Sequence, residues 1–121
     1  MKPRRKFLLA AIALQWSPLH AVAQSTFDHT HAAWDSLLRK HVKLINDGPG
    51  RANASQVDYR GLAQERAALA AYLKSLSAVT PAQYAGWSKP QQYAFLANAY
   101  NAFTIEKVLT RYPNLKSIRD F

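Results

Sequence analysis

Two carboxamides three residues apart, Asn98 and Asn101, sit in a run that is otherwise apolar or aromatic, with Tyr100 between them. Projected on a helix, Ala94, Asn98, Asn101, Ile105, Val108 and Leu109 share one face, and Leu96, Phe95, Ala99 and Phe103 fill much of the rest. A helix that is apolar nearly all round is usually buried, so both amides are expected to be shut away from water. A buried amide without partners costs more than a hydrogen bond normally contributes. Each amide must therefore grip something. It can clamp the backbone of a neighbouring loop, or it can line a site and orient a substrate. The clamp is the plainer reading, because most side-chain hydrogen bonds go to backbone or water. Asn98, Tyr100 and Asn101 are the candidate binding residues; no catalytic residue is assigned.

Other chemistry-bearing residues form weaker patterns. Asp28, His31 and Asp35 fall at i, i+3 and i+7, near one helical face, but no fourth ligand is in view. A solvated face explains them, and no metal site is expected. His41 lies within an apolar stripe with no acid placed to orient it, which marks a core or edge histidine rather than a base. Asp58 beside Tyr59 reads as a turn or cap. Glu106 and Lys107 read as helix-surface charges. There is no cysteine, hence no disulfide, thiolate ligand or thiol nucleophile. The nucleophile elbow, the phosphate-binding glycine loop and the zinc-binding H-E-x-x-H pattern are missing too, and no cofactor is expected.

The elements that must position these residues are helices joined by short turns. Trp34, Leu37, Leu38, His41, Val42 and Ile45 make one continuous stripe at helical spacing, with Thr26 or Asp28 available as a cap. Asn46-Asp47-Gly48-Pro49-Gly50 ends that helix. Arg51 to Gln56 reads as polar loop and Val57-Asp58-Tyr59 as a short extended piece. A second helix carries Leu62, Leu69, Tyr72, Leu73 and Leu76 on one side. Thr80-Pro81-Ala82-Gln83 and Ser88-Lys89-Pro90-Gln91 are two capping boxes with proline inside the first turn. The first opens a short helix with Tyr84 and Trp87; the second opens the longest helix, to about Arg111, where Tyr112-Pro113 stops it. The fold class is mainly α, with three longer helices and one short one.

The charge is uneven. The chain of 121 residues carries +9, from 16 basic and 7 acidic residues. Lys2, Arg4, Arg5 and Lys6 have no acid near them, and without residues 1–23 the excess falls to +5. The apolar run Phe7 to Leu14 follows, then Ser17-Pro18, then Ala21-Val22-Ala23 before Gln24. A basic head, an apolar run and an A-x-A site are the layout of an export signal. Eight apolar residues are too few to span a bilayer, which takes roughly 20. The expectation is a leader at 1–23 cleaved before Gln24 and a mature domain at 24–121, periplasmic or secreted, touching membrane only through the leader. Arg4-Arg5-Lys6-Phe7-Leu8 looks like the twin-arginine pattern, while the compact Leu-rich run suits the general secretory route; both routes stay open. A scattered +5 is poor equipment for nucleic-acid binding.

The run Ala94-Phe95-Leu96-Ala97-Asn98-Ala99-Tyr100-Asn101-Ala102-Phe103-Thr104-Ile105 resembles the A-F-W-I-N-x-Y-N-A-h-T-h signature of the domain of unknown function 547 family. Shorter matches follow the family's order: Trp34 with Leu37-Leu38, Val57-Asp58-Tyr59, Leu69 with Tyr72-Leu73, and Tyr112-Pro113 leading to Ser117-Ile118-Arg119-Asp120. Leu96 and Ala97 stand where the family has Trp and Ile. The family's domain continues beyond its S-I-x-D element with further His, Glu and a Cys-Gly motif that this sequence does not contain.

The resemblance implies that residues 24–121 are the N-terminal part of a larger α+β domain, with a helical packing or partner-binding role. It also leaves room for an envelope enzyme, thiol-dependent, whose catalytic residues lie beyond Phe121. A 98-residue mature chain buries a modest share of its surface, so self-association through exposed apolar faces is a further expectation.

Overall fold

A computed structural model describes residues 26–45, 49 and 54–121. The architecture is mainly α with a small β part. Helix α1 (Ala32–His41) leads directly into strand β1 (Val42–Ile45), which pairs antiparallel with β2 (Ala54–Val57). Helices α2 (Tyr59–Gln64), α3 (Arg66–Ser77), α4 (Pro81–Ala85) and α5 (Lys89–Leu109) follow, then a single 3-10 turn at Ile118–Asp120.

The first apolar stripe is thus shared by two kinds of element. The helix ends at His41, and Val42 is extended, its N–H closing on the carbonyl of Leu38. Periodicity alone carries the helix to Ile45, but β-branched Val42 and Ile45 suit a pleated surface. They find partners in register, with Val42 opposite Val57 and Ile45 opposite Ala54. The expected break at Asn46–Gly50 falls largely outside the described residues, as do the expected leader and the residues expected to flank its cleavage, Ala21, Ala23 and Gln24. Part of the stretch expected as polar loop, from Ala54 onward, is strand.

The second expected helix is two helices. The chain bends at Glu65, which ends α2 and precedes α3. All five residues of its predicted apolar side are nonetheless buried: Leu62, Leu69, Tyr72, Leu73 and Leu76. Both capping boxes form. Thr80 and Ser88 accept from the N–H of Gln83 and Gln91, and each glutamine side chain accepts the cap residue's N–H in return. A third box, Ser117 with Asp120, opens the 3-10 turn.

Helix α3 is the middle layer, packing on α1 at one side and α5 at the other. Arg66 at its start pairs with Glu106 near the end of α5 at 2.6 Å, so these two helices run antiparallel. The core joins Trp34 and Leu37 of α1, Leu62, the α3 residues, and Ala102, Ile105 and Leu109 of α5. Trp34 and Tyr72 stack with centroids 5.7 Å apart and planes within 3°. Phe27 stacks on Trp87 at 5.1 Å and meets Phe95 edge-on, which draws the segment before α1 against the start of α5.

Candidate functional site

Helix α5 is buried on one side only. Ala102, Ile105, Val108 and Leu109 face the core, while Tyr93, Leu96, Tyr100 and Phe103 are exposed on the opposite side. The expectation that both carboxamides are shut away is therefore corrected. Asn98 is half-buried on the core side, Asn101 is exposed, and Tyr100 is exposed. No hydrogen bond joins either amide to a described residue, so neither clamps a loop within the described structure. Asn101 shares the helical face of Ile105 and Val108 but lies at its exposed margin, and an amide in contact with water needs no protein partner. Tyr100 contributes only its backbone carbonyl to a side chain, that of Thr104, at 2.7 Å.

The polar constellations the fold does assemble lie elsewhere. His41, at the last position of α1, is wedged between two carboxylates. Its Nε2 is in short contact with Oε2 of Glu65, and its Nδ1 lies 3.8 Å from Oδ2 of Asp58. Lys40 closes on the other oxygen of Glu65 at 2.8 Å. The Lys40 and His41 contacts together hold the Glu65 carboxyl below the usual range, Lys40 first. Asp58 also caps α2, accepting the Gly61 N–H at 3.0 Å. Gly61 has to be glycine here: a Cβ would fall 2.5 Å from His41 Nδ1 and nearer still to Asp58 Oδ2. Local spacing shows no acid for His41 because both acids arrive through the hairpin; the Asp58 N–H bonds the His41 carbonyl at 2.7 Å and closes it. The cap at Asp58 and the close glycine were the available signal.

His31 begins α1 in the left-handed region, φ 49 and ψ 39. It is buried, and its Nδ1 lies 2.7 Å from the Tyr72 hydroxyl. Burial, opposed by nearby Asp28, pushes the His31 pKa down. Burial together with the Asp28 charge pushes the Tyr72 hydroxyl up to about 12. Tyr72 therefore keeps its proton, and its hydroxyl and the neutral imidazole share one hydrogen bond whose direction follows the ring's tautomer. The ring's Nε2 is buried without a partner among the described residues. The pair borders a cleft of about 390 Å³ walled by Phe27, Ala68, Ala71 and Val79.

The Asp28, His31, Asp35 spacing does not converge on one point. Asp28 accepts from the N–H groups of Thr30 and Ala32 and from the Thr30 hydroxyl, which lowers its pKa, the hydroxyl most. Asp35 pairs with Arg39 at 2.7 Å, and His31 turns inward to Tyr72. Among the described residues no group of three His, Asp or Glu could hold a metal ion, and no helix is long and apolar enough to cross a membrane.

Comparison with family models, with curated proteins and with solved structures finds no match. The likeness to the domain of unknown function 547 family rests on the run 94–105 and its shorter companions alone.

Proposed function

We propose that this is an exported protein of the domain of unknown function 547 type whose helices serve packing and partner binding, with the outer side of α5 as the contact surface. One observation carries the binding half of this reading: Tyr93, Leu96, Tyr100 and Phe103 form an uninterrupted exposed apolar row on the longest helix. Scattered exposed apolar residues are ordinary, but a contiguous patch on a soluble surface marks an interaction site. Tyr100 sits near the middle of the row, so this family-signature residue contributes to the contact, while Asn101 lies off the row and Asn98 faces inward. The leader layout and its A-x-A site support export.

Site-specific photo-crosslinking tests the surface. A photoreactive phenylalanine analogue replacing Tyr100, in the full chain expressed in bacteria, is expected to form a discrete adduct on illumination. The same analogue at exposed Lys74 of α3 should form none. Equal labelling at both positions, or none at either, rejects the α5 surface. Sequencing the N-terminus of the recovered protein tests export, with Gln24 expected first; an intact Met1 in the cytosolic fraction rejects it.

A further inference from the structure

We infer that the occupant of the α5 surface is a second copy of this chain, docked antiparallel about a two-fold axis beside residue 98. The inference rests on the α5 reading above and names the partner.

Three observations select self-pairing. The first is spacing. Tyr93, Leu96, Tyr100 and Phe103 are separated by three, four and three residues. That is the seam spacing by which two helices interlock, and it reads the same in both directions. Reversed on itself, it sets Tyr93 opposite Phe103 of the second copy and Leu96 opposite Tyr100, so no member is left without a counterpart. The second is size. The antiparallel arrangement places the smaller Leu96 against the larger Tyr100, which favours interdigitation. A parallel pair would stack Tyr100 on Tyr100. The third is charge. From Pro90 to Ile105 no residue is charged. Nothing in the row repels its own copy, and nothing there selects a partner of opposite charge.

The area sets the strength. The row is exposed to 69% at Tyr93, 53% at Leu96, 74% at Tyr100 and 46% at Phe103. With about 150–250 Å² for an aromatic side chain, roughly 450 Å² per copy is available. The row ends at Phe103, because the next seam position, Lys107, would fall opposite Lys89 of the second copy. The total for a pair is roughly 900 Å², in the range of weak, transient interfaces. The dimer is therefore a weak, reversible one.

Complementary substitutions at Leu96 and Tyr100 test the pairing and its direction together. The protein as recovered from cells expressing the full chain should sediment as a concentration-dependent monomer–dimer mixture. Leu96→Lys alone and Tyr100→Glu alone should each be monomeric, with helical circular dichroism retained. Mixed at equal concentration they should form a heterodimer. The antiparallel register brings the introduced lysine of one copy against the introduced glutamate of the other and leaves the second Leu96–Tyr100 contact native. A native chain that stays monomeric across the concentration range overturns the inference, and so does a dimer that both substitutions leave unchanged or a mixture that stays monomeric. A Tyr100 crosslink whose mass is not that of two copies, with a monomeric native chain, ends this inference but spares the α5 contact surface. Absence of any crosslink ends both.

Discussion

At the scale of single residues, the decisive groups are two histidines and the hydroxyl and carboxyl groups they touch. Burial depresses the His31 pKa, so the folded chain prefers the neutral ring. Above the ordinary value of about 6.5 both states are neutral and nothing is lost. As pH falls below it, the unfolded chain takes up the proton first, and stability drops until the folded pKa is passed. Urea midpoints should therefore be lower at pH 5.5 than at pH 7.5, and His31→Asn, which tolerates the left-handed backbone, should flatten that difference. At the alkaline end the sign reverses. Tyr72 is held up to about 12, so its contribution is complete below pH 10 and disappears between there and 12, an effect on the order of 2–3 kcal/mol. Tyr72→Phe should remove it, and should cost about 1–3 kcal/mol at neutral pH by leaving Nδ1 of the buried His31 ring without its hydrogen-bond partner. Gly61 makes a separate prediction. Alanine is the better helix former by about 1 kcal/mol, yet Gly61→Ala drives a methyl into Asp58 and His41. Net destabilisation of about 1–3 kcal/mol is expected from such overpacking, read as a lower urea midpoint with an unchanged m-value.

At the scale of elements, what the sequence specified locally is what formed, and what depended on distant partners is what differed. The capping boxes at Thr80 and Ser88 are complete within four residues each, so spacing alone located the starts of α4 and α5. Ser88→Ala should accordingly lower stability by about 1 kcal/mol, and Ser88→Asp, which keeps an acceptor, should restore most of it. The apolar side of Leu62, Leu69, Tyr72, Leu73 and Leu76 was legible because buried residues recur at helical spacing, even though the helix bends at Glu65. Val42 to Ile45 was not, since a period read in isolation cannot register that Ala54–Val57 lies alongside. The same limit hid the acids of His41, Asp58 and Glu65, which lie far along the chain from it. It also misplaced Asn101. Apolar composition all round α5 implied burial all round, but burial needs a covering element: the side with Tyr93, Leu96, Tyr100 and Phe103 has none among the described residues, and Asn101, at the margin of the core-facing side, stays exposed as well.

At the scale of the whole molecule, the stability margin depends on whether the uncovered side of α5 is satisfied by its own copy. The core is small, a single cluster centred on Leu69 and Ala102, both fully buried. Leu69→Ala should cost about 2–5 kcal/mol, enough to unfold much of the population of a marginal domain. Against such a narrow margin a weak dimer matters, because anything that binds the folded chain alone raises the melting temperature by mass action. Unfolding enthalpy of about 0.7 kcal/mol per residue puts two copies of residues 24–121 at roughly 140 kcal/mol. Coupled dissociation and unfolding then raises the midpoint by at most about 4 °C for each tenfold rise in protein concentration, approached where the dimer predominates. The scattered positive charge of the two copies adds a mild repulsion, so moderate salt should strengthen the effect rather than weaken it. Scanning calorimetry across two decades of concentration, at low and moderate salt, reads both trends. Tyr100→Glu should abolish the concentration dependence while leaving a cooperative transition from the α1–α3–α5 core; a concentration-independent midpoint in the native chain would mean that α5 meets water, not its own copy, when the protein is alone.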